Sequence, residues 1–366
     1  MKTILIAGGA GFIGSHTADQ LAAQGWKIRI LDILQKEVHG GKWPRYVAKK
    51  GYDLIRGDVR KKQDWLKALK GVSAVLHLAA YQDQRLDFST FFQTNSVSTS
   101  LLYECIVEKK LPIKKVVLAS SQFVYGDGQY VCNREKKSFY APLRSQQQLD
   151  NFDWNIACVC GSAATPVPFV EDQIILPTNS YGLSKKSLEE ISLLLGKTYN
   201  IPTTCLRYSI VQGERQSPKN IYSGALRIFV SQAVAGVPIT VYEDGASTRD
   251  FVSVHDVVRA NVLALTNHET DFNIFNVGGG KKHTIIDFAT DVRRITGSKS
   301  EIVIGGYRRT DTRHAVSDIS KLKKLGWTPQ FTTEDAIAEY VAWYKKEGFD
   351  KQADIKSLKK LKVGIK

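Results

Sequence analysis

The stretch Gly8-Gly9-Ala10-Gly11-Phe12-Ile13-Gly14 lies between an apolar run at Thr3–Ala7 and a helical pattern at Phe12–Gln24. Its glycines permit a tight turn between a strand and a helix, and they let the backbone come close to a phosphate group. The first N–H groups of the helix then offer partial positive charge to that anion. A strand, this turn and a helix together predict the first unit of a parallel sheet.

Short apolar runs and helical patterns continue to alternate along the first 120 or so residues. Alternation of this kind is typical of a parallel sheet with right-handed crossovers and helices on its faces. The predicted fold class is therefore α/β: a Rossmann doubly wound parallel sheet with a smaller mixed α/β substrate-binding lobe. The predicted strands are Thr3–Ala7, Lys27–Leu31, Asp53–Ile55, Ala74–Leu78, Lys115–Ala119 and Thr203–Arg207, and the predicted helices are Phe12–Gln24, Lys62–Leu69, Phe88–Lys109 and Tyr181–Tyr199.

Changes in composition divide the chain into three parts. Residues 1–208 are predicted to form the sheet domain, interrupted by a polar, irregular insertion at 127–172 on the ligand face. Residues 209–346 contain shorter strands among helices, such as the one expected at Tyr222–Ala235, and are predicted to form mainly the second lobe. Residues 347–366 form a basic tail, expected to be a solvated helix.

Acidic residues after two of the strands refine the phosphate-binding prediction. Asp32 closes the second strand, eighteen residues beyond Gly14. An acid at that point accepts hydrogen bonds from the ribose hydroxyls of adenosine and repels a 2′-phosphate. We therefore predict NAD, rather than NADP, as the cofactor. Asp58 follows the third strand and is predicted to contact the adenine, together with its neighbour Val59.

Charge and hydropathy exclude several classes of protein. The chain has 366 residues and a net charge of +15, and it contains no apolar run long enough for a membrane span. A basic body suits an anionic ligand such as a nucleotide diphosphate, and no nucleic-acid-binding motif is present. The apolar start of the chain ends at Gly8, too early for a signal peptide, so we expect a cytoplasmic protein.

The cysteines are not expected to form a disulfide framework, because two of the five lie in apolar segments. The other three, Cys132, Cys158 and Cys160, fall within the insertion. A closed zinc site has four ligands, and the cysteines supply only three. Nothing requires Glu171 or Asp172 to act as the fourth. We therefore predict no metal.

Two further segments carry the candidate catalytic side chains. Ala119-Ser120-Ser121-Gln122-Phe123-Val124-Tyr125-Gly126 ends the fifth strand, and Tyr181-Gly182-Leu183-Ser184-Lys185 begins a later helix. Ser121 therefore lies at the carboxyl end of a strand, where open α/β sheets bind their ligands. The spacing of four puts Tyr181 and Lys185 on one face of the helix. A cation beside a phenol lowers the phenol's pKa and makes it a usable base.

These segments and the glycine turn resemble the extended branch of the short-chain dehydrogenase/reductase family, within its nucleotide-sugar epimerases and dehydratases, over nearly the whole chain. The resemblance implies that Tyr181 is the acid/base, that Ser121 hydrogen-bonds the reacting sugar oxygen, and that Lys185 holds the nicotinamide ribose. The cofactor-binding residues that it implies are Gly8, Gly11, Phe12, Ile13, Gly14, Asp32, Asp58, Val59, Leu78, Ala79, Ala80, Asn95, Tyr181 and Lys185. The substrate-binding residues that it implies are Gln122, Arg207, Arg249, Arg308 and Asp311.

The residues after Ser121 favour one reaction of that family. Dehydratases carry an Asp-Glu pair there and decarboxylases keep the glutamate, whereas this chain has Gln122 and Phe123. The resemblance therefore implies C4 epimerisation of a nucleotide-diphospho-sugar through a transient 4-keto intermediate, with NAD tightly bound throughout. A nucleotide-sugar 4-keto reductase or a 2-epimerase is the alternative, while a 4,6-dehydratase and a non-catalytic NAD-binding sensor are disfavoured.

Later motifs resemble the dTDP-L-rhamnose 4-epimerase and UDP-glucose 4-epimerase-like group within the family. The base and the sugar stay open between these two types. The resemblance also implies a homodimer that forms through the helices at 88–109 and 181–199. The motifs of the group are Val38-His39-Gly40, Val211–Ser217, and Tyr307–His314 followed by Val316–Lys321.

Overall fold

The strands predicted before residue 120 all form, and they lie side by side in one parallel sheet. The computed structural model describes residues 2–83, 86–217 and 224–347. Its main sheet has seven strands in the order β14-β9-β5-β4-β1-β2-β3, and all six neighbouring pairs run parallel. The strands are β1 (Thr3–Ala7), β2 (Lys27–Asp32), β3 (Asp53–Arg56), β4 (Ala74–His77), β5 (Lys115–Ser121), β9 (Thr203–Tyr208) and β14 (Asn273–Val277).

Helices cover both faces of this sheet. Side chains alternate along β1, so that Ile4 and Ile6 pack towards α1 and α10, whereas Leu5 packs towards the helices of the opposite face. A strand buried on both faces is apolar throughout, which explains the continuous apolar run at the start of the chain. The helices are α1 (Phe12–Ala23) and α10 (Val254–Thr266) on one face and α4 (Lys62–Ala68), α6 (Ser98–Glu108) and α8 (Ser180–Thr198) on the other.

Short helical segments complete this part of the chain. The predicted helix at Phe88–Lys109 forms as α5 and α6 joined by a π-helical stretch, and a 3₁₀ turn follows β5 directly. The segments are α2 (Lys36–His39), α3 (Arg45–Ala48), α5 (Phe88–Phe91), the π-helix Phe92–Val97 and the 3₁₀ turn Gln122–Tyr125.

The predicted boundary at residue 208 does not separate the sheet from the second lobe. The chain returns to the sheet through α10, which packs on α1, and through β14, which pairs with β9 as an edge strand. Pairing between strands so distant in sequence leaves no local signal, and a boundary drawn from local patterns misses it.

The second lobe is built from small sheets around its own core. That core joins α9, α11 and α13 over β11 and β13. Part of the predicted helix at Tyr222–Ala235 and all of the basic tail except Glu347 lie outside the described residues. The elements are β10 (Ile210–Gln212), α9 (Gly224–Ala235), β11 (Ile239–Val241), β12 (Thr248–Arg249), β13 (Phe251–Ser253), the 3₁₀ turn His268–Thr270, β15 (His283–Thr284), α11 (Ile285–Thr296), β16 (Ile302–Ile304), β17 (His314–Ala315), α12 (Ser320–Lys323) and α13 (Thr333–Lys346).

The insertion at 127–172 is more regular than predicted. It forms an antiparallel sheet in the order β7-β6-β8, with one short helix. Its elements are β6 (Gln129–Cys132), β7 (Ser138–Tyr140), α7 (Gln146–Asp150) and β8 (Ala164–Pro166). Among the helices of the described residues, none has the length and apolar content to cross a membrane.

Candidate active site

A cleft with a volume of about 1220 Å³ opens at the carboxyl ends of the main-sheet strands. This is the edge at which open parallel sheets bind ligands. Most of the predicted cofactor residues line this cleft, and so does Ser121. They are Gly8, Gly11, Phe12, Ile13, Gly14, Asp32, Asp58, Val59, Leu78, Ala79, Ala80, Tyr181 and Lys185.

The glycine turn after β1 forms a backbone cradle that side chains would fill. Gly8 has a φ of +82°, and a Cβ there would lie 2.6 Å from the backbone nitrogen of Ala79. A Cβ on Gly14 would lie 2.4 Å from the carbonyl oxygen of Gly8. Helix α1 begins at Phe12 with no side-chain cap, so its first N–H groups are left for another acceptor. These groups suit a pyrophosphate.

Asp32 both holds the cradle and faces the cleft. Its two carboxylate oxygens accept hydrogen bonds from the backbone N–H groups of Ala10, at 3.0 Å, and Leu34, at 2.8 Å. Each oxygen keeps a further lone pair for a ribose hydroxyl. Asp58 is paired with Arg60 at 2.7 Å. Burial raises the pKa of Asp58, but the hydrogen bonds from Arg60 outweigh it and the net shift is downward.

Ser121, Tyr181 and Lys185 come together at the other end of the cleft. Ser121 is the last residue of β5, and Tyr181 lies in the first turn of α8. The Lys185 ammonium donates to the carbonyl oxygen of Ala119 at 2.7 Å and lies 5.8 Å from the centre of the Tyr181 ring. Serine, phenol and ammonium therefore surround one position, as the sequence predicts.

A close helix approach fixes the tyrosine. A Cβ on Gly182 would lie 2.4 Å from the carbonyl oxygen of Phe123, so only glycine allows α8 to pack against the 3₁₀ turn. The rings of Phe123 and Tyr181 meet edge to face, with centroids 6.0 Å apart. The turn thereby positions the phenol beside Ser121.

Burial, rather than the lysine, dominates the titration of Tyr181 in the protein alone. Burial raises the pKa of Tyr181 to about 12, opposed by its hydrogen bond with Ser121. Burial also lowers the pKa of Lys185 to about 8. The sequence-based expectation that Lys185 lowers the pKa of Tyr181 is therefore not met here: burial sets the direction of the shift, and the ammonium bonds to Ala119. The N-terminus of α8 still favours a phenolate at Tyr181.

Arg207 was predicted to bind substrate, and the structure corrects this prediction. Its guanidinium is 2% exposed and pairs with Glu189 through two hydrogen bonds of 2.8 Å. Its remaining nitrogen donates to the Tyr125 hydroxyl at 2.7 Å and to the backbone oxygen of Glu171 at 2.9 Å. Arg207 lies behind the site, because each of its three guanidinium nitrogens is bonded within the protein.

Glu189 is a residue that sequence reasoning missed. It accepts a hydrogen bond of 2.5 Å from Ser120, the neighbour of Ser121, as well as those from Arg207. A signal was available, since Glu189 follows Lys185 by four residues just as Lys185 follows Tyr181. This face of α8 therefore carries the phenol, the ammonium and the carboxylate that anchors the helix to β5 and β9.

Asn95 and Gln122 also differ from their predicted roles. The Asn95 side chain is buried and bonds to both backbone groups of Tyr81 and to Ser184, so it positions the cleft wall rather than reaching a cofactor. Gln122 is 2% exposed and is not among the described residues that line the cleft. Both side chains point into the protein because their elements pack on α8.

The other predicted substrate residues form a separate group in the second lobe. Arg249 donates to the backbone oxygens of Thr248, at 2.9 Å, and Arg313, at 3.3 Å. Burial lowers the pKa of Arg249, and the nearby charge of Asp311 opposes this. Arg308 lies 5.0 Å above the centre of the Tyr242 ring. None of Arg249, Arg308 and Asp311 is among the described residues that line the cleft.

The sequence motifs at Val38-His39-Gly40 and Val211–Ser217 were given no site role, yet they contribute to the wall that faces the adenosine end of the cleft. It comprises α2, α3 and the segment that follows β10. Arg215 lies 4.9 Å above the centre of the Tyr46 ring, and the Ser217 hydroxyl donates to the backbone oxygen of Val38 at 3.0 Å. Two segments far apart in sequence therefore close one side of the cleft.

The glycine cradle, the acid that closes β2 and the Ser/Tyr/Lys group define a dinucleotide-dependent enzyme of the short-chain dehydrogenase/reductase type. A model of the NAD dependent epimerase/dehydratase family matches residues 4–148 and 157–278. The chain belongs to that family, and NAD is its cofactor. The residues present fit NAD, because the cradle leaves no room for side chains where a pyrophosphate binds and Asp32 closes β2 beside it.

Individual proteins resemble the chain over nearly its whole length. The dTDP-L-rhamnose 4-epimerase of Burkholderia thailandensis is 31% identical, over 94% of this chain and 96% of the relative. The structure of UDP-glucose 4-epimerase with UDP-glucose from Thermotoga maritima has a TM-score of 0.77 and 26% identity, over 94% of this chain and 99% of that one. The structure of Thermus thermophilus UDP-glucose 4-epimerase in complex with NAD has a TM-score of 0.74 and 26% identity, with the same coverage.

Proposed function

We propose that this protein is a nucleotide-sugar 4-epimerase that inverts C4 of a pyrimidine-nucleotide sugar through a transient 4-keto sugar. The observation that carries the proposal is the meeting of Ser121, Tyr181 and Lys185 in the cleft that holds the glycine cradle, with no acid at the two positions after Ser121. Two of the similar proteins bear on the substrate, since their names specify dTDP-L-rhamnose and UDP-glucose.

Each of the three side chains has a distinct task. Tyr181 removes the proton from the 4-hydroxyl of the sugar and later returns it to the oxygen. The Ser121 hydroxyl hydrogen-bonds the same oxygen and holds it beside the phenol. Lys185 keeps a positive charge behind the ring of Tyr181, 5.8 Å from its centre, and orients the nicotinamide ribose. Bound NAD supplies the hydride acceptor and, on return to the other face, the hydride donor.

The residues beside Ser121 argue against elimination of water. A dehydratase needs a proton donor and a base at positions 122 and 123, and neither glutamine nor phenylalanine supplies them. Phe123 instead packs edge to face on Tyr181. A site with one acid/base and one hydrogen-bond donor matches an epimerisation, in which the same proton leaves and returns.

We further propose that Arg249, Arg308 and Asp311 bind the nucleotide diphosphate. Arginine matches a phosphate as a bidentate fork, and Asp311 accepts hydrogen bonds from a ribose. Arg249 supports this role, because among the described residues its guanidinium donates to the backbone oxygens of Thr248 and Arg313 and pairs with no carboxylate. Arg313, in contrast, is neutralised by Glu243 and Asp244.

The test is Tyr181→Phe, with Tyr199→Phe as the matched control at the exposed end of the same helix. We expect Tyr181→Phe to lower kcat by about 10²–10⁴-fold, the usual contribution of a general acid/base, with NAD still bound. Tyr199→Phe is expected to keep full activity. A fully active Tyr181→Phe enzyme would show that this mechanism is wrong.

The substrate is identified by incubation with UDP-, dTDP-, GDP- and CDP-sugars and analysis of the products by NMR. A 4-epimer formed from a UDP- or dTDP-sugar without added cofactor supports the proposal. Stoichiometric consumption of added NADH or NADPH would instead indicate a reductase, and inversion at C2 would indicate a 2-epimerase.

We also propose that the enzyme is a cytoplasmic homodimer. Phe88, Val97, Leu183 and Leu194 expose apolar side chains along the two helical segments named by the resemblance, and Leu194 is 66% exposed. The five free cysteines suit a reducing compartment. Light scattering should give twice the chain mass, and Leu194→Glu should halve it. A monomeric parent protein would contradict the dimer.

A further inference from the structure

Three thiols that are distant in sequence meet at one end of the insertion. Cys132 ends β6, whereas Cys158 and Cys160 lie on the turn that precedes β8. The sulfurs of all three lie within 4.8 Å of one another, and those of Cys132 and Cys160 are 3.5 Å apart. In the part of the chain that the structure describes, this is the group of ligands arranged to hold a metal ion.

The spacing of the sulfurs matches a metal better than a disulfide. A disulfide joins two sulfurs at about 2.05 Å. Thiolates at 2.3 Å from a tetrahedral zinc ion lie about 3.8 Å apart, and this value falls within the observed spread. A disulfide would also leave the third thiol without a role.

A backbone hydrogen bond holds the Cys132 sulfur in place. The N–H group of Glu135, three residues further on, donates to the Cys132 sulfur at 3.3 Å. Hydrogen bonds of this kind to a ligand atom orient it for a metal ion.

The insertion has only a small apolar core of its own. Its buried apolar cluster contains Tyr130, Ala141 and Ile156, with Phe139 and Ala164 against them. Small units of this kind are commonly stabilised by a metal.

We propose that Cys132, Cys158 and Cys160 bind one structural zinc ion, which closes the insertion. Among the described residues no fourth protein ligand joins this group, so water completes the coordination of the zinc ion. Zinc suits three thiolates and needs no redox partner. The sequence alone offered three ligands scattered over 29 residues and predicted no metal, whereas the fold brings them to one point.

The zinc site would stabilise the contacts between the insertion and the predicted diphosphate-binding residues. Arg144 of the insertion donates to the backbone oxygen of Asp311 at 2.8 Å and pairs with Glu243 at 2.7 Å. Asn155, next to the cysteine turn, accepts a hydrogen bond of 3.1 Å from Arg313.

The experiment measures metal in untagged protein purified from zinc-supplemented cells. Elemental analysis is expected to find about one zinc per chain. Cys158→Ser and Cys160→Ser, both at half-exposed positions, should retain less than about a fifth of it. Cys105→Ala, a buried thiol outside the insertion, is the control and should retain all of it.

Cobalt substitution provides the second measurement. The Co²⁺-loaded parent protein should show thiolate-to-cobalt charge-transfer absorption. The Cys158→Ser variant should lack this absorption. Binding of NAD by the same variant would show that it is folded. A parent protein without zinc, zinc that is unchanged in both cysteine variants, or a Cys132–Cys160 disulfide in non-reducing mass spectrometry would each overturn the proposal.

Discussion

Replacing Glu189 with glutamine tests how strongly the buried ion pair behind the active site stabilises the protein. Glu189 and Arg207 are each 2% exposed and share two hydrogen bonds of 2.8 Å. Burial lowers the pKa of Arg207, but Glu189 more than offsets this, so the guanidinium stays charged. Glutamine keeps the shape of the side chain and removes the charge, which leaves Arg207 buried without a counter-ion.

The expected loss follows from these contacts. Removing one partner of a buried ion pair costs about 3–5 kcal/mol, and we expect the lower end because the glutamine oxygen still accepts one hydrogen bond. A loss of about 3 kcal/mol raises the unfolding equilibrium constant by about 150-fold. For 366 residues, with an unfolding entropy of about 2.1 cal/mol/K per residue, the melting temperature falls by about 4 °C.

Urea denaturation followed by circular dichroism measures the change, and Glu190→Gln is the matched control. Glu190 is the next residue on α8, and its side chain is 65% exposed, so its loss should alter the unfolding free energy by less than about 0.5 kcal/mol. The double variant Glu189→Met with Arg207→Met should recover much of the stability, because no charge is then left unpaired. A Glu189→Gln protein as stable as the control would refute the reasoning.

Two further predictions concern the cofactor cradle and acid stability. Gly14→Ala places a Cβ 2.4 Å from the Gly8 carbonyl oxygen. The affinity for NAD, measured by calorimetry, should therefore fall at least about tenfold. An unchanged affinity would contradict the role of the cradle. Burial lowers the pKa of His77 from the ordinary 6.5 to about 3. Between these two pH values the unfolded state binds more protons than the folded state. The free energy of unfolding therefore falls as the pH falls, by up to about 1.4 kcal/mol per pH unit. His77→Gln should flatten this slope when the free energy of unfolding is measured by urea titration at several pH values. His268→Gln, the control at a 93% exposed side chain, should leave the slope unchanged. Equal slopes in the two variants would contradict the role of His77.

Local patterns predicted most of the main sheet. The predicted strand Thr3–Ala7 forms with those bounds, and β5 extends the predicted Lys115–Ala119 by two residues. Periodicity succeeds in these segments because each strand is buried on both faces and each helix on one. The insertion was predicted to be irregular, because short antiparallel strands at a surface carry weak patterns; its sheet forms through pairing between β6 and β8, more than thirty residues apart.

The position of a polar side chain was predictable where it depends on spacing along the chain. It was not predictable where it depends on which residues are buried together. Tyr181 and Lys185 share a helix face whatever the rest of the fold does, and the turn after β1 needs glycine locally. Arg207 and Asn95 lie on elements that the sequence predicts correctly. Their partners, Glu189 and the backbone of Tyr81, come from other elements. The spacing of four places Glu189 on the face of α8 that carries Lys185, but no spacing along the chain reveals that it pairs with Arg207.

By itself, therefore, the sequence determined the glycine turn, the strand that ends at Ser121 and the helix face that carries Tyr181 and Lys185, because each depends on neighbouring residues. Only the tertiary structure decided which polar side chains face the cleft. Arg207, for example, is buried and paired with Glu189 because of how α8 packs on β9. The tertiary structure also decided that Cys132 meets Cys158 and Cys160, because a distance between sulfurs is set by strand pairing and not by spacing in the chain.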